Sequence, residues 1–185
     1  MENYFIRDGS IGLRSIREDD RKEFFGWHDD SSIREKIGGV FPFSENTFKR
    51  ICQSYNELNP SDIWFALCDE EMLIGIAGLH NIKYIQGNAE LAILIGEKKE
   101  RNKGKGSQIL KLIEKYAFGT LNLHRLYAYV YGDNVEALLF FKRCLWKHEG
   151  TMKDASFWNY RFRDIEIWAK VNIEGMGTGA TGRER

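Results

Sequence analysis

Apolar and polar positions alternate through "IGLRSIR" (11–17), the pattern of a strand with one buried face. "EDDRKEFFGWHDD" follows with acids at its front, which suit the positive end of a helix. In "FPFSENTFKRICQSYNELNP" the period changes. Phe48, Ile51, Cys52 and Tyr55 recur at helical spacing behind Ser44, a ready N-cap, and Asn59-Pro60 is expected to end that helix. Between 63 and 80 two apolar runs flank the polar Asp69-Glu70-Glu71, which predicts a β-hairpin. "NAELAILIG" (88–96) is apolar enough for the centre of a sheet. After a loop at 97–103 comes a helix over 104–119, with Ile109, Leu110, Leu112, Ile113, Tyr116 and Ala117 as a wide apolar face and Gly119 as C-cap. "HRLYAYVY" (124–131) is the next strand. Strand, helix, strand implies that 88–96 and 124–131 run parallel with a right-handed crossover. A short helix over 133–144, with Asp133 or Asn134 at its N-cap, precedes "KHEGTM" and "FRDIEIWAKV" (162–171), which read as a closing antiparallel pair.

Composition narrows the class. The 185 residues suit one domain, read here as 1–173, with the Gly-rich, aperiodic 174–185 as a disordered tail or an appended remnant. Lys and Arg together number 27 and so do Asp and Glu, so the basic excess typical of a nucleic-acid binder is missing. No apolar run is long enough to span a bilayer, and "MENYFIRDGS" lacks the apolar region of a signal peptide. Cys52, Cys68 and Cys144 form no CxxC pair, and the four histidines show no ligand spacing. Together these predict a cytoplasmic protein with reduced thiols, no metal, no membrane and no nucleic acid; a homodimer is left open.

The candidate chemistry sits in "KKERNKGKGSQILKLIEKYAF" (98–118). Glycines two apart open a helix whose first N–H groups have no partner within the helix, and Arg101, Lys103 and Lys105 add positive charge. This is an anion cradle suited to a pyrophosphate. It is neither a P-loop, which needs GxxxxGK[ST], nor a dinucleotide fingerprint, because Ile109 stands where the third glycine belongs. A solvated basic loop with two turn glycines fits the same residues.

In context, Arg101-Asn102-Lys103-Gly104-Lys105-Gly106 resembles R/Q-x-x-G-x-G/A, the acetyl-CoA pyrophosphate loop of the GNAT N-acetyltransferase superfamily. It follows an "AELAILIG" strand, and "DNVEALLFFKRCLW" is similar to that family's N-x-x-A-x-x-x-Y-x-x-x-G-F segment, matched at Asn134 and Ala137. "LRSIREDD", "GWHDD" and "EGTMKDASFWNYRFRDIEIWAK" resemble the branch holding ribosomal-protein N-terminal, spermidine and nucleotide-amino-sugar acetyltransferases. Two positions depart from the pattern. Phe141 replaces the tyrosine that often protonates departing CoA thiolate, and Leu145-Trp146 replaces Gly-Phe.

The resemblance implies an α/β (α+β) fold with a mixed, mostly antiparallel sheet, one splayed parallel pair and flanking helices. It implies acetyl transfer from acetyl-CoA to a primary amine by direct attack, the amine being a protein N-terminus, a polyamine or an amino sugar. The alternative is a non-catalytic acyl-CoA sensor or assembly module. Backbone groups of Ala92, Ile93, Leu94 and Ile95 would meet the pantetheine amides. Asn102, Lys103, Gly104, Lys105, Gly106 and Ser107, with Arg101, would hold the pyrophosphate. Asn134, Ala137 and Phe141 would border the pantetheine. An alkyl ammonium, with a pKa of about 10.4, must lose a proton before it attacks. Glu90, one of few charges on the central strand, is the candidate base. Tyr129, Tyr131 and Tyr160 are candidates for the acid, with solvent or the leaving ammonium as substitutes. Trp27, Trp64, Phe157 and Trp158 read as pocket lining or as core. His28 and the acids at 18–20 and 29–30 read as acceptor contacts or as a solvated helix start. Arg161 and Arg163 with Trp158 would suit a nucleotide-sugar acceptor.

Overall fold

The computed structural model describes residues 3–54 and 57–173. The tail expected at 174–185 and Tyr55 lie outside them. Among the described residues one eight-stranded sheet runs in the order β1-β2-β3-β4-β5-β6-β8-β7. The strands are β1 Ile6–Asp8, β2 Ile11–Arg14, β3 Ile63–Asp69, β4 Met72–Lys83, β5 Asn88–Ile95, β6 Arg125–Tyr131, β7 Lys147–Trp158 and β8 Arg161–Val171. Every neighbouring pair is antiparallel except β5–β6. The helices are α1 Arg21–Asp29, α2 Ser31–Ile37, α3 Glu45–Gln53, α4 Lys105–Glu114 and α5 Val135–Arg143.

Strand alternation sorts the core into two layers. One face of the sheet carries Leu67, Leu79, Leu91, Leu126 and Val130 against Ile109, Leu110 and Ile113 of α4 and Phe141 of α5. The other carries Ala66 and Ile76, with Leu94 at their margin, under Phe24, Trp27, Ile33 and Phe48 of α1–α3. Fully burying a ring such as Phe48 contributes about 2–3 kcal/mol, so this small cluster suffices to seat three short helices.

Several boundaries differ from the sequence expectation. The strand expected over 11–17 is β2 and ends at Arg14, because Ile16 turns inward with the helical layer. Helix α2 was not foreseen: it is seven residues long with Ile33 its one buried residue, too short to show a period. The α4 helix runs on into π-helix over Lys115–Thr120, so Gly119 lies inside that turn and does not cap it. The closing pair is longer than expected, reaching a tight turn at Asn159-Tyr160, both with positive φ.

Strands β5 and β6 pair only at Asn88↔Arg125, Ala89↔Leu126 and Glu90↔Tyr127. Beyond Glu90, β5 stays paired to β4 as far as Ile95, and β6 stays paired to β8 as far as Tyr131. The two strands therefore part, and the gap between them opens beside the start of α4.

Candidate active site

The gap leads into a cavity of about 220 Å³. Its walls bring together most of the sequence-predicted cofactor residues: Ile93, Leu94 and Ile95 of β5; Arg101, Asn102, Gly104, Gly106 and Ser107 of the loop and α4; and Asn134, Ala137 and Phe141 around α5. Ala92, Lys103 and Lys105 are not part of the wall. Lys103 and Lys105 both pair with Glu100, and Lys105 also with Asp69. These hydrogen bonds hold the Asp69 and Glu100 carboxyls below their ordinary range and raise the Lys105 ammonium. The two lysines thus brace the loop from outside.

The candidate cradle is backbone. Asp30, Ser44 and Asn134 cap α2, α3 and α5 with their side chains, whereas no side chain caps α4. Its N-cap is Gly104 at φ +80°, a left-handed conformation that suits glycine. The N–H groups of Ser107 and Gln108 donate to Gly104 O, so those of Lys105 and Gly106 precede the helical ladder and are free to meet an anion. A Cβ on Gly106 would come within 3.2 Å of the Phe140 ring, inside the cavity wall. Arg101 does not spread its guanidinium over the cradle: Nε donates to Ile95 O at 2.8 Å and Nη2 to Gly96 O at 3.2 Å, clamping the loop to the end of β5. Asn134 spends its Oδ1 on the Ala137 N–H. The sequence did not point to Lys36 and Glu136, which also line the cavity and form an ion pair from α2 to α5.

On the opposite face, Glu90 is half-buried, accepts from Asn81 Nδ2 at 3.3 Å and lies beside Tyr127 at the last paired step before the gap. Burial, and after it the Glu90 charge, raise the Tyr127 phenol. Because Leu126, Ala128 and Val130 point into the α4 layer, Tyr127, Tyr129 and Tyr131 share the face of Glu90. Tyr160 is 94% exposed at the β7–β8 turn. Phe141 is buried against Trp146 and Trp168 and carries no proton.

Other sequence candidates have structural partners. Arg14 forks onto buried Asp20 at 2.7 and 2.6 Å. Asp30 caps α2 and pairs with Lys98. His28 stacks on Phe43 at 3.8 Å with Nδ1 donating to Phe24 O, and burial lowers its pKa. Trp27 is core. Trp64 lines a second cavity, of about 560 Å³, between α3 and the β3–β4 pair. Arg163 is buried under Tyr131 and Trp158, and both Arg163 and Arg161 lean on Asp133.

Among the described residues no three His, Cys, Asp or Glu side chains gather as a metal site, and no helix is long and apolar enough to cross a membrane.

Residues 13–167 match the family described as acetyltransferase (GNAT) domain. A spermidine N(1)-acetyltransferase of Vibrio cholerae is 31% identical over 97 residues, covering 52% of this chain and 56% of the relative. One of Escherichia coli K12 is 30% identical over 97 residues, covering 52% and 51%. The chain spans about half the length of the curated relatives it matches. The fold is similar to the crystal structure of the Vibrio cholerae spermidine N-acetyltransferase with CoA and spermine, at a TM-score of 0.79 and 22% identity, covering 89% of this chain and 96% of that one. A dodecameric structure of the Vibrio cholerae enzyme in an intermediate state gives 0.73 and 22%, covering 92% and 98%.

Proposed function

The chain belongs to the GNAT acetyltransferase family, and on that premise we propose that it transfers the acetyl group of acetyl-CoA to the primary amine of a small alkyl cation, a polyamine in the first instance. The observation that carries this reading is the parting of β5 from β6 directly after Glu90↔Tyr127, with an uncapped glycine-led helix at the end of the gap.

The residues around the cavity fit the coenzyme. A diphosphate meets the N–H groups at the start of α4, where the helix dipole is also favourable. The free edge of β5 over Ala92–Ile95 offers backbone groups to the two pantetheine amides, and one of its N–H groups is placed to polarise the thioester carbonyl. Acetyl-CoA supplies an activated acyl carbon and a good leaving group. Glu90 faces the other side of the sheet, where its carboxylate meets the acceptor ammonium.

Three observations favour a cationic acceptor. Glu57, Asp62 and Glu90 put carboxylates on the acceptor side, Trp64 and Tyr127 add aromatic faces that attract alkyl ammonium groups, and Arg161 and Arg163 are engaged by Asp133 and not offered to a sugar diphosphate. The spermidine-acetylating relatives support the same choice. The reading extends to self-association, for which the homodimer is the smallest form and the dodecameric relative the support; light scattering on the purified chain checks it. The activity test is CoA thiol release with spermidine, an N-terminal peptide and an amino-sugar nucleotide as acceptors. The expected order is spermidine fastest. Tight CoA binding with no release on any of the three would leave an acyl-CoA sensor instead.

A further inference from the structure

Across the β4–β5 pair from Glu90 stands His80, and the two belong to one connected cluster. His80 Nδ1 lies 3.1 Å from Asp62 Oδ1. The same carboxylate accepts from the Asn81 N–H at 3.3 Å and, through Oδ2, from Ser61 Oγ at 2.8 Å. Asn81 then reaches Glu90 with its side-chain amide at 3.3 Å. Asn81 has φ +48° and sits where the β4–β5 register shifts, so the irregularity ties both carboxylates to the position next to the histidine.

The ring is aimed as well as tied. Trp64 meets His80 edge to face, with centroids 4.2 Å apart at 74°. Beneath them is Gly78: a Cβ there would stand 2.8 Å from the Trp64 ring and 3.0 Å from His80 Nε2. His80 Nε2 therefore leans over the Gly78 backbone, and Gly78 is the register partner of Ala92, the first residue of β5 on this face after the strands part. The missing side chain at Gly78 thus lets Trp64 and His80 sit close to the backbone, beside Ala92 and Glu90 on the neighbouring strand. His80 and Asp62 also line the 560 Å³ cavity under α3. The His80 side chain keeps 19% of its surface exposed, so it is held yet reachable.

An ionised carboxylate only accepts hydrogen bonds, so Asp62 fixes the proton on Nδ1 and leaves the lone pair on Nε2. Burial pushes the Asp62 carboxyl up, but the hydrogen bonds from Ser61, Asn81 and His80 outweigh it and keep the acid ionised. Carboxylates have ordinary pKa values near 4 and imidazole near 6.5, so against an alkyl ammonium the imidazole is the stronger proton acceptor by about two units.

Resting on the transferase reading, we infer that His80, oriented by Asp62, takes the proton from the acceptor ammonium while Glu90 holds the cation. The proton passes from nitrogen to Nε2. The freed lone pair forms the C–N bond to the thioester carbon, and the C–S bond breaks with its electrons on the CoA sulfur. The surplus proton on the new amide nitrogen goes to that thiolate, and His80 returns its own to solvent. No acid is then required at Phe141.

Two measurements test this. In long-range ¹⁵N–¹H spectra of the unliganded protein, His80 shows the Nδ1–H tautomer, and Asp62→Asn mixes the two tautomers. With spermidine and saturating acetyl-CoA, His80→Gln lowers kcat about 100-fold at pH 7 and Asp62→Asn about tenfold, with KM for acetyl-CoA within about twofold. Glu90→Gln mainly raises KM for spermidine. The low-pH inflection of kcat/KM disappears in His80→Gln; Asp62, Glu90, Glu57, Arg50 and Tyr127 are the charged or titratable groups facing His80 from neighbouring elements, and they remain in that variant. An Nε2–H tautomer, or a His80→Gln enzyme with wild-type kcat and pH profile, overturns the inference. A wild-type protein that binds CoA but acetylates no amine overturns the transferase reading beneath it, a result separate from either.

Discussion

The proposed phosphate cradle and the proposed acceptor face adjoin the same sheet but are made differently. The cradle is one contiguous segment, Asn102–Ser107, whose active groups are backbone N–H donors. The acceptor face is assembled from side chains far apart in the chain: Asp62 and Trp64 from β3 and its approach, His80 from β4, Glu90 from β5 and Tyr127 from β6. Backbone recognition depends on shape and the absence of side chains, so steric change should damage it most. Side-chain recognition depends on charge and protonation, so isosteric change and pH should damage it most.

Three experiments break or sharpen that contrast. The largest effect is expected from Gly106→Val, whose branched side chain would enter the cavity beside Phe140. CoA affinity should fall roughly 100-fold, about 2.8 kcal/mol, in a protein whose circular dichroism is unchanged. Next, the charge-removing, shape-conserving Glu90→Gln should leave CoA affinity as it is. It should raise KM for spermidine about tenfold at pH 7 and less at alkaline pH, where the amine is already neutral; an equal change at every pH would remove Glu90 from holding the cation. The smallest effect is expected from Lys105→Met, which takes the lysine partner from Asp69 and one of two from Glu100, Lys103 staying on the latter. Both carboxyls titrate lower in the folded chain, so their contribution is present above the ordinary carboxylate pKa of about 4 and lost as pH falls through the folded values. The Lys105 ammonium is raised, so its share is present below about pH 10.4 and lost as pH rises through its folded value. Thermal melts of the variant should show a shallower acid limb below about pH 5 than the wild type.

The same contrast explains what the sequence disclosed. The glycine-led helix start was legible because Gly104, Gly106 and the apolar period of α4 are neighbours in the chain, and so was the parallel β5–β6 pair. The use of Arg101 as a clamp was not, since a guanidinium beside a phosphate loop and one on a strand end look alike in one dimension. His80 and Asp62 gave no local signal: eighteen positions separate them, and the histidine has no ligand or nucleophile spacing. Register carried the missing information. Once the 63–80 hairpin and the 88–96 strand are paired, His80 falls opposite Glu90, although Asn81 at the register shift is a feature no alternation predicts. Short elements such as β1 and α2 escaped because a few residues cannot display a period.

The most direct measurement is a pair of calorimetric titrations of the intact chain, one with CoA and one with pantetheine, which has the same thiol arm without the diphosphate. CoA should bind with a clear exotherm and at least about 100-fold more tightly than pantetheine. No heat with CoA, or equal affinity for the two, would contradict a diphosphate held at the start of α4.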